Sequence, residues 1–188
     1  MDEPRARANG QNGAACAARG ASYKLLPMIL GSSAGLALVS TLLWHPLPLL
    51  MWNASSSSPL GLYAIGSAGH AEVGDLIVAW APPAARRLAA RRNYLPASVP
   101  LIKRVAAVQG DYVCAKRSLV LINGRAASLR RSSDRRGRPL PWWSGCKLLR
   151  KGDLFLLSRQ APLGFDGRYF GVTHAREVIG KARLVWPS

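Results

Sequence analysis

The sequence predicts a mainly β protein, antiparallel in its sheets, behind a single N-terminal transmembrane helix. Three observations carry this expectation. From Leu25 to Ala71 the chain contains no Asp, Glu, Lys or Arg. Beyond Leu62 it breaks into short runs rich in β-branched and aromatic residues. Gly-Asp and Asn-Gly pairs punctuate those runs, as turn residues do between strands.

Residues 1–24 are rich in Arg, Ala and Gly and form a basic tail. Residues 25–44 are close to the ~20 apolar residues that a spanning helix needs. Trp44 and Trp52 suit the membrane interface, and Pro46 and Pro48 end the helix. Arg5, Arg7, Arg19 and Lys24 precede the run, so the positive-inside rule keeps the tail in the cytoplasm. Residues 45–188 then form a periplasmic domain on a single-pass protein of a bacterial inner membrane. A cleaved signal peptide and a buried core helix are the competing readings. The run is longer than a usual h-region, and no A-x-A signal follows it directly.

The strands are expected in "LYAIG", "DLIVAW", "LIKRVAAV", "YVCA", "SLVLING", "DLFLLS" and "EVIGKARLVW". Asn123-Gly124 reads as the turn of a hairpin. Only "AARRLAARRNYL" suggests a helix in this part of the chain. "RRSSDRRGRP" reads as a polar, mobile insertion.

Lys and Arg number 26 against 9 Asp and Glu, a formal charge of +17. Such a balance favours an anionic partner, and membrane lipid headgroups suit a tethered domain. No aromatic-and-basic motif accompanies the charge, so no nucleic-acid partner is expected. Cys114 and Cys146 fall on the outer side, where disulfides persist, and are expected to pair; two free buried thiols are the competing reading. Cys16 falls on the reducing side.

Familiar catalytic groups are scarce. His45, His70 and His174 stand in unrelated contexts and read as surface or packing residues. No zinc spacing or phosphate-binding glycine loop is present. What remains is serine with lysine. A serine hydroxyl needs a base to become a nucleophile, and a lysine serves once apolar surroundings disfavour its charged form. Lys103 lies among Val99, Leu101, Val105 and Val108. In a strand it shares a face with Leu101 and Val105, while Arg104 points the other way. The serine run Ser55–Ser58 supplies the candidate hydroxyls. Pro59 fixes its own φ and pushes Ser58 into an extended conformation.

Three segments, "NASSSSPLGLY", "LIKRVAAVQGD" and "FDGRYFG", follow one another behind the apolar run. Together they resemble the bacterial signal peptidase superfamily of Ser/Lys proteases, most closely its TraF-type conjugative-transfer branch. That branch has a motif like Asn-x-Thr-x-Ser-x-Pro-x-Gly-Leu/Phe-Tyr. Asn53, Ser55, Ser57, Pro59, Gly61 and Tyr63 match its fixed positions. The resemblance implies a signal-peptidase-like, antiparallel β catalytic domain needing no metal or organic cofactor. It implies Ser57 as nucleophile, Lys103 as general base, and Asp166 as support for the site. It also implies the Ser57 N–H and the Ser55 hydroxyl as oxyanion donors, with Arg168 in a structural pairing. General signal peptidases carry Ser-Met-x-Pro, a register that selects Ser56 instead. Ser58 is expected to be dispensable. The implied substrate is a membrane-tethered pilin or preprotein.

The chain departs from this pattern twice. Gly167 stands where the family commonly has serine, and Gly164 stands where a serine often holds the lysine. Asp166, Ser158 or water are the candidates to hold it here. Two rival classes remain: a self-cleaving repressor of the same Ser/Lys chemistry, and a non-enzymatic β-rich membrane component of a transfer or secretion apparatus. The repressor would need a DNA-binding domain and a cleavage site in place of the apolar run.

Overall fold

Two of the turns expected between strands show how this chain enters a new strand. In Gly74-Asp75 and Gly110-Asp111 the aspartate N–H donates to the carbonyl three residues back, at 3.1 Å in each. Its carboxylate accepts the amide N–H of that same earlier residue, Glu72 or Val108, at 2.8 Å. Gly152-Asp153 repeats the device, with Arg150 at 3.0 and 3.1 Å. One short side chain thus satisfies backbone groups that a turn otherwise leaves to water.

The computed structural model describes residues 50–158 and 164–188, all within a unit spanning Leu47–Ser188. The tail at 1–24 and the anchor at 25–44 lie outside the described residues. Among the described residues, no helix is long and apolar enough to cross a membrane. The strands are β1 (Leu50–Asn53), β2 (Gly61–Gly66), β3 (Leu76–Ala79), β4 (Leu101–Ala107), β5 (Tyr112–Lys116), β6 (Leu119–Ile122), β7 (Arg125–Leu129), β8 (Gly145–Leu148), β9 (Phe155–Leu157) and β10 (Val178–Pro187). Helix α1 (Pro83–Arg91) follows β3, and one short helical turn, α2 (Gly167–Phe170), follows β9.

All pairings between these strands are antiparallel. The larger sheet has the order β1-β2-β10-β3-β4-β9, and the smaller β7-β6-β5-β8. Within the larger sheet, β10 lies between the β1–β2 hairpin and the β3-β4-β9 group. The serine loop belongs to the first half and Lys103 to the second, so β10 joins them. Its far end also meets the loop: the Ser188 N–H donates to the Leu60 carbonyl at 3.2 Å. A Cβ on Gly61 would lie 2.1 Å from the Trp186 carbonyl oxygen, so only glycine lets β10 pass there.

Val78 of β3 and Ile102 of β4 pack with Tyr63 and Ile65 on one face of this sheet. Ile77 and Val105 pack with Leu154 and Leu156 on the other. Ala107, Phe155 and Leu157 meet Val113 and Val120 of the smaller sheet. Each fully buried side chain of this size contributes roughly 1.5–3 kcal/mol.

The seven expected strands and the helix are present, and Asn123-Gly124 closes the β6–β7 hairpin with positive φ at both residues. Two strands were not legible. β1 merges into the apolar run in sequence, and β8 is short and exposed, so it does not alternate. β7 is the second arm of the expected hairpin. "RRSSDRRGRP" is not the loose insertion expected. Asp134 accepts the Arg136 and Arg138 N–H groups, both at 2.9 Å, and the Arg138 Nε at 2.7 Å. The Tyr94 hydroxyl, from beyond α1, also donates to it. Burial would raise the Asp134 carboxyl, but these donors hold it well below the usual carboxylate range. Arg130 is buried between Trp142 and Trp143 and donates to the Trp143 carbonyl at 2.6 Å.

Cys114 of β5 and Cys146 of β8 are directly paired across the smaller sheet and form a disulfide. It closes a loop of 32 residues, for which chain entropy predicts about 3.7 kcal/mol of stabilisation. Replacing both cysteines by alanine is expected to lower stability by about that amount. Urea denaturation of the full chain in micelles, with and without reductant, checks this. Reductant should destabilise the parent chain and leave the double variant unchanged.

Candidate active site

The serine loop joins β1 to β2, and Asn53 holds its shape. The Asn53 Nδ2 donates to the carbonyls of Ser55, Ser58 and Pro59 at 3.0, 3.2 and 2.9 Å. Its Oδ1 accepts the Ser55 N–H at 3.0 Å. The Tyr63 hydroxyl donates to the Pro59 carbonyl at 2.8 Å from the other strand. These bonds gather the carbonyls of the loop on one side and leave Ser57 half-buried at the other.

Ser58 is not a bystander. Its side chain is buried, and its hydroxyl donates to the Ile102 carbonyl at 3.0 Å. That bond ties the loop to β4 at the residue preceding Lys103. The Ser58 N–H donates to the Ser55 carbonyl at 3.4 Å, and the turn this closes sends the Ser58 hydroxyl to β4 and the Ser57 hydroxyl to the lysine.

Lys103 lies inside the larger sheet opposite Ile77, 4% exposed. Its Nζ is 2.5 Å from the Ser57 Oγ. Burial lowers its pKa from 10.5 to about 8; Asp166 opposes that shift and Arg168 adds to it. At neutral pH a useful fraction of the amine is therefore neutral, and a neutral amine here can take the proton of the hydroxyl it touches. Arg104 points away and donates to the Gly74 carbonyl.

Ser55 stands on the solvent side of Ser57, with its Oγ 3.0 Å from the Ser57 Oγ. The Ser57 N–H points at the Ser55 Oγ over a long 3.4 Å. Both groups expected to face an oxyanion are thus adjacent, and the bond between them is weak enough for a carbonyl oxygen to displace. Ser56 is exposed, and its side chain makes no hydrogen bond among the described residues.

Asp166 is fully buried and opens α2. Its Oδ1 accepts the Arg168 N–H at 3.1 Å and Nε at 2.8 Å. Its Oδ2 accepts the Ser158 N–H at 2.8 Å and the Arg168 Nη2 at 2.9 Å. This bidentate ion pair fixes the corner between β9 and α2 beside the lysine. Gly167 is tight: a Cβ there would lie 2.8 Å from the Leu156 carbonyl oxygen and 2.9 Å from the Phe155 ring. No serine fits at that position without a shift.

The Ser55–Ser57 segment and Lys103 line one end of a cleft of about 760 Å³. Met51, Leu101 and Phe165 give it apolar walls, and Arg92, Arg135 and Arg138 a basic rim. His174 lies elsewhere, exposed, with Nδ1 2.8 Å from Asp153. His70 is exposed, and His45 lies outside the described residues. The structure therefore brings Ser55, Ser57, Lys103, Asp166 and Arg168 to one place. The tasks of Asn53, Ser58 and Tyr63 went unread, since a hydrogen bond to a loop carbonyl leaves no periodicity in sequence.

The family model described as signal peptidase, peptidase S26, matches residues 22–187. The chain belongs to that family of serine peptidases. A plasmid transfer protein TraF from Escherichia coli is 31% identical over 137 residues, 67% of this chain and 76% of the relative. A second Escherichia coli plasmid transfer protein TraF is 31% identical over 147 residues, 71% and 82% of the two chains. A signal peptidase I from Enterococcus faecalis V583 is 20% identical and overlaps 61% of this chain and 98% of its own with a TM-score of 0.35, too loose a fit to bear on the site.

Two stability predictions follow from the packing. Gly167→Ser, though it restores the residue common in the family, is expected to destabilise by ~1–3 kcal/mol through overpacking against β9, measured by urea denaturation. Lys103→Met should do the opposite near neutral pH. The unfolded chain binds a proton up to 10.5 and the folded chain only up to about 8, so burying the ammonium costs the wild type roughly 3 kcal/mol below pH 8. That cost shrinks as pH rises from about 8 to 10.5. The expected outcome is a Met variant more stable at pH 7, with an advantage that fades at alkaline pH.

Proposed function

We propose that the chain is a membrane-anchored serine endopeptidase using a Ser57/Lys103 dyad to process pilin or signal-peptide-bearing precursors in conjugative transfer. The observation that carries this is a buried lysine amine 2.5 Å from one serine hydroxyl at the end of an open cleft. The likeness to two plasmid transfer proteins supports the conjugative setting.

In the mechanism, neutral Lys103 takes the Ser57 proton as Oγ attacks the scissile carbonyl. The Ser57 N–H and the Ser55 hydroxyl receive the developing oxyanion, and such donors are typically worth ~10²–10³ in kcat. The C–N bond breaks as Lys103 returns the proton to the leaving amine, which leaves an acyl ester on Ser57. Water, deprotonated by Lys103, then attacks the ester; the carboxylic product leaves and Ser57 regains its proton. An amine held in place by the substrate could resolve the ester instead and join the chain's own ends, since well-oriented groups reach effective molarities of ~10⁵–10⁸ M.

The membrane setting draws support from the β1–β2–β10 edge. Trp52 and Trp186 flank Leu62 in one cross-strand row, and both are more than half exposed. Exposed Leu50 and Leu60 extend this apolar patch beside the serine loop. With the apolar run at 25–44 just ahead of β1, the patch suits an edge facing the periplasmic surface of the inner membrane.

Co-expression with small membrane precursors encoded nearby, read by mass spectrometry, tests the proposal. Ser57→Ala is expected to lower processing by about 10³-fold or more, and Ser56→Ala to leave most of it. Lys103→Arg is expected to be inactive, because a guanidinium keeps its proton. In the wild type, kcat/KM should rise with pH and level off above about 8, as Lys103 loses its charge. A product lighter by one water than the linear chain marks cyclisation. An active Lys103→Arg variant, or unprocessed precursor throughout, would sink the proposal.

A further inference from the structure

The family serine that often holds the lysine is replaced by Gly164, and the described residues offer few substitutes. Asp166 is not one of them. Its two oxygens already accept the Ser158 N–H and three donors of Arg168. Gly167 has no room even for a Cβ. Among the described residues the Lys103 Nζ has one hydrogen bond, to Ser57. A single tether leaves the amine free to turn about its last carbon–nitrogen bond.

Ser158 stands next to it. β4 and β9 pair Arg104 with Leu157 and Val105 with Leu156. One step further along the same register, Ser158 lies opposite Lys103, and directly opposed residues present their side chains on the same face, with Cβ atoms ~4.5–5.5 Å apart. Ser158 is 6% exposed, and its Oγ finds no partner among the described residues. Buried hydroxyls are normally bonded, and this one has none to give up if it turns about χ1. Other described neighbours of Lys103 offer no acceptor side chain. Ile77 of β3 and Leu156 of β9 are apolar, and Arg168 is itself a donor.

We propose that Ser158 is the positioning residue for Lys103: its hydroxyl accepts an N–H from Nζ and thereby directs the nitrogen lone pair at Ser57. The inference rests on the Ser57/Lys103 reading. A neutral amine has two N–H groups and one lone pair. Once Ser158 takes an N–H, the lone pair has one direction left that meets a hydroxyl. The task moves to the end of β9, the strand beside the lysine's own.

A hydroxyl accepts more strongly from an ammonium than from an amine, so removing Ser158 should favour the neutral amine. The test uses the full chain in detergent micelles with labelled lysine, the Lys103 resonance being assigned by its loss in Lys103→Met. In Ser158→Ala the Lys103 titration is expected to move to lower pH, and kcat/KM to fall by roughly 10- to 100-fold. Ser158→Thr, which keeps the hydroxyl, should restore both. If the hydroxyl were idle, Ser158→Ala would melt no lower than the parent, titrate identically and cleave at the parent rate; that result overturns the proposal. The titration needs no substrate. A shifted titration in a chain that cleaves nothing would uphold the contact and count against the peptidase reading instead.

Discussion

The structure depends on keeping one amine out of water. Lys103 is a charged residue at the centre of an apolar sheet, and only its proximity to Ser57 gives that placement a use. The rest of the site answers to it. The Asp166–Arg168 pair lies beside the lysine as a fixed dipole whose two ends act on it in opposite senses, Asp166 raising and Arg168 lowering its pKa. Burial therefore decides the outcome. A lone aspartate in that place would hold the lysine charged; a lone arginine would push it further towards neutrality. With the two opposed, desolvation sets the direction of the shift.

The serine loop solves a related problem. The proposed nucleophile has to be exposed enough to meet a carbonyl, yet fixed to a fraction of an ångström. Asn53, Ser58 and Tyr63 do the fixing from below, through backbone carbonyls and a strand, and leave the upper side of Ser57 open. The four serines in a row are thus four environments: one towards the cleft, one in solvent, one against the lysine and one in the core. Their identical side chains hide this in the sequence.

Much of the fold was legible because its causes are local. Alternation, β-branched runs and Gly-Asp turns each act within a few residues, and they marked the central strands and α1. β1 escaped because its residues continue the apolar run before it, and β8 because its partner, β5, lies some thirty residues back. The candidate site was legible through three motifs in a set order, which named Ser57, Lys103, Asp166 and Arg168. What their spacing could not convey was occupancy: that Asp166 has no oxygen to spare, that Gly167 admits no side chain, and that the Ser58 hydroxyl faces β4. The insertion at Arg130–Pro139 misled for the same reason. Its composition is that of a solvated loop, but one aspartate gathers enough donors to order it.

The position of β10 has a consequence in time. The hairpin that carries Ser57 and the strands that carry Lys103 share no sheet edge until β10 slides between them. β10 is also the strand translated last of the three groups. Once residue 103 is made the growing chain holds both Ser57 and Lys103, yet the strand that joins their two halves of the sheet ends only at Pro187. The sheet that sets the Lys103 amine 2.5 Å from the Ser57 hydroxyl is thus completed by β10.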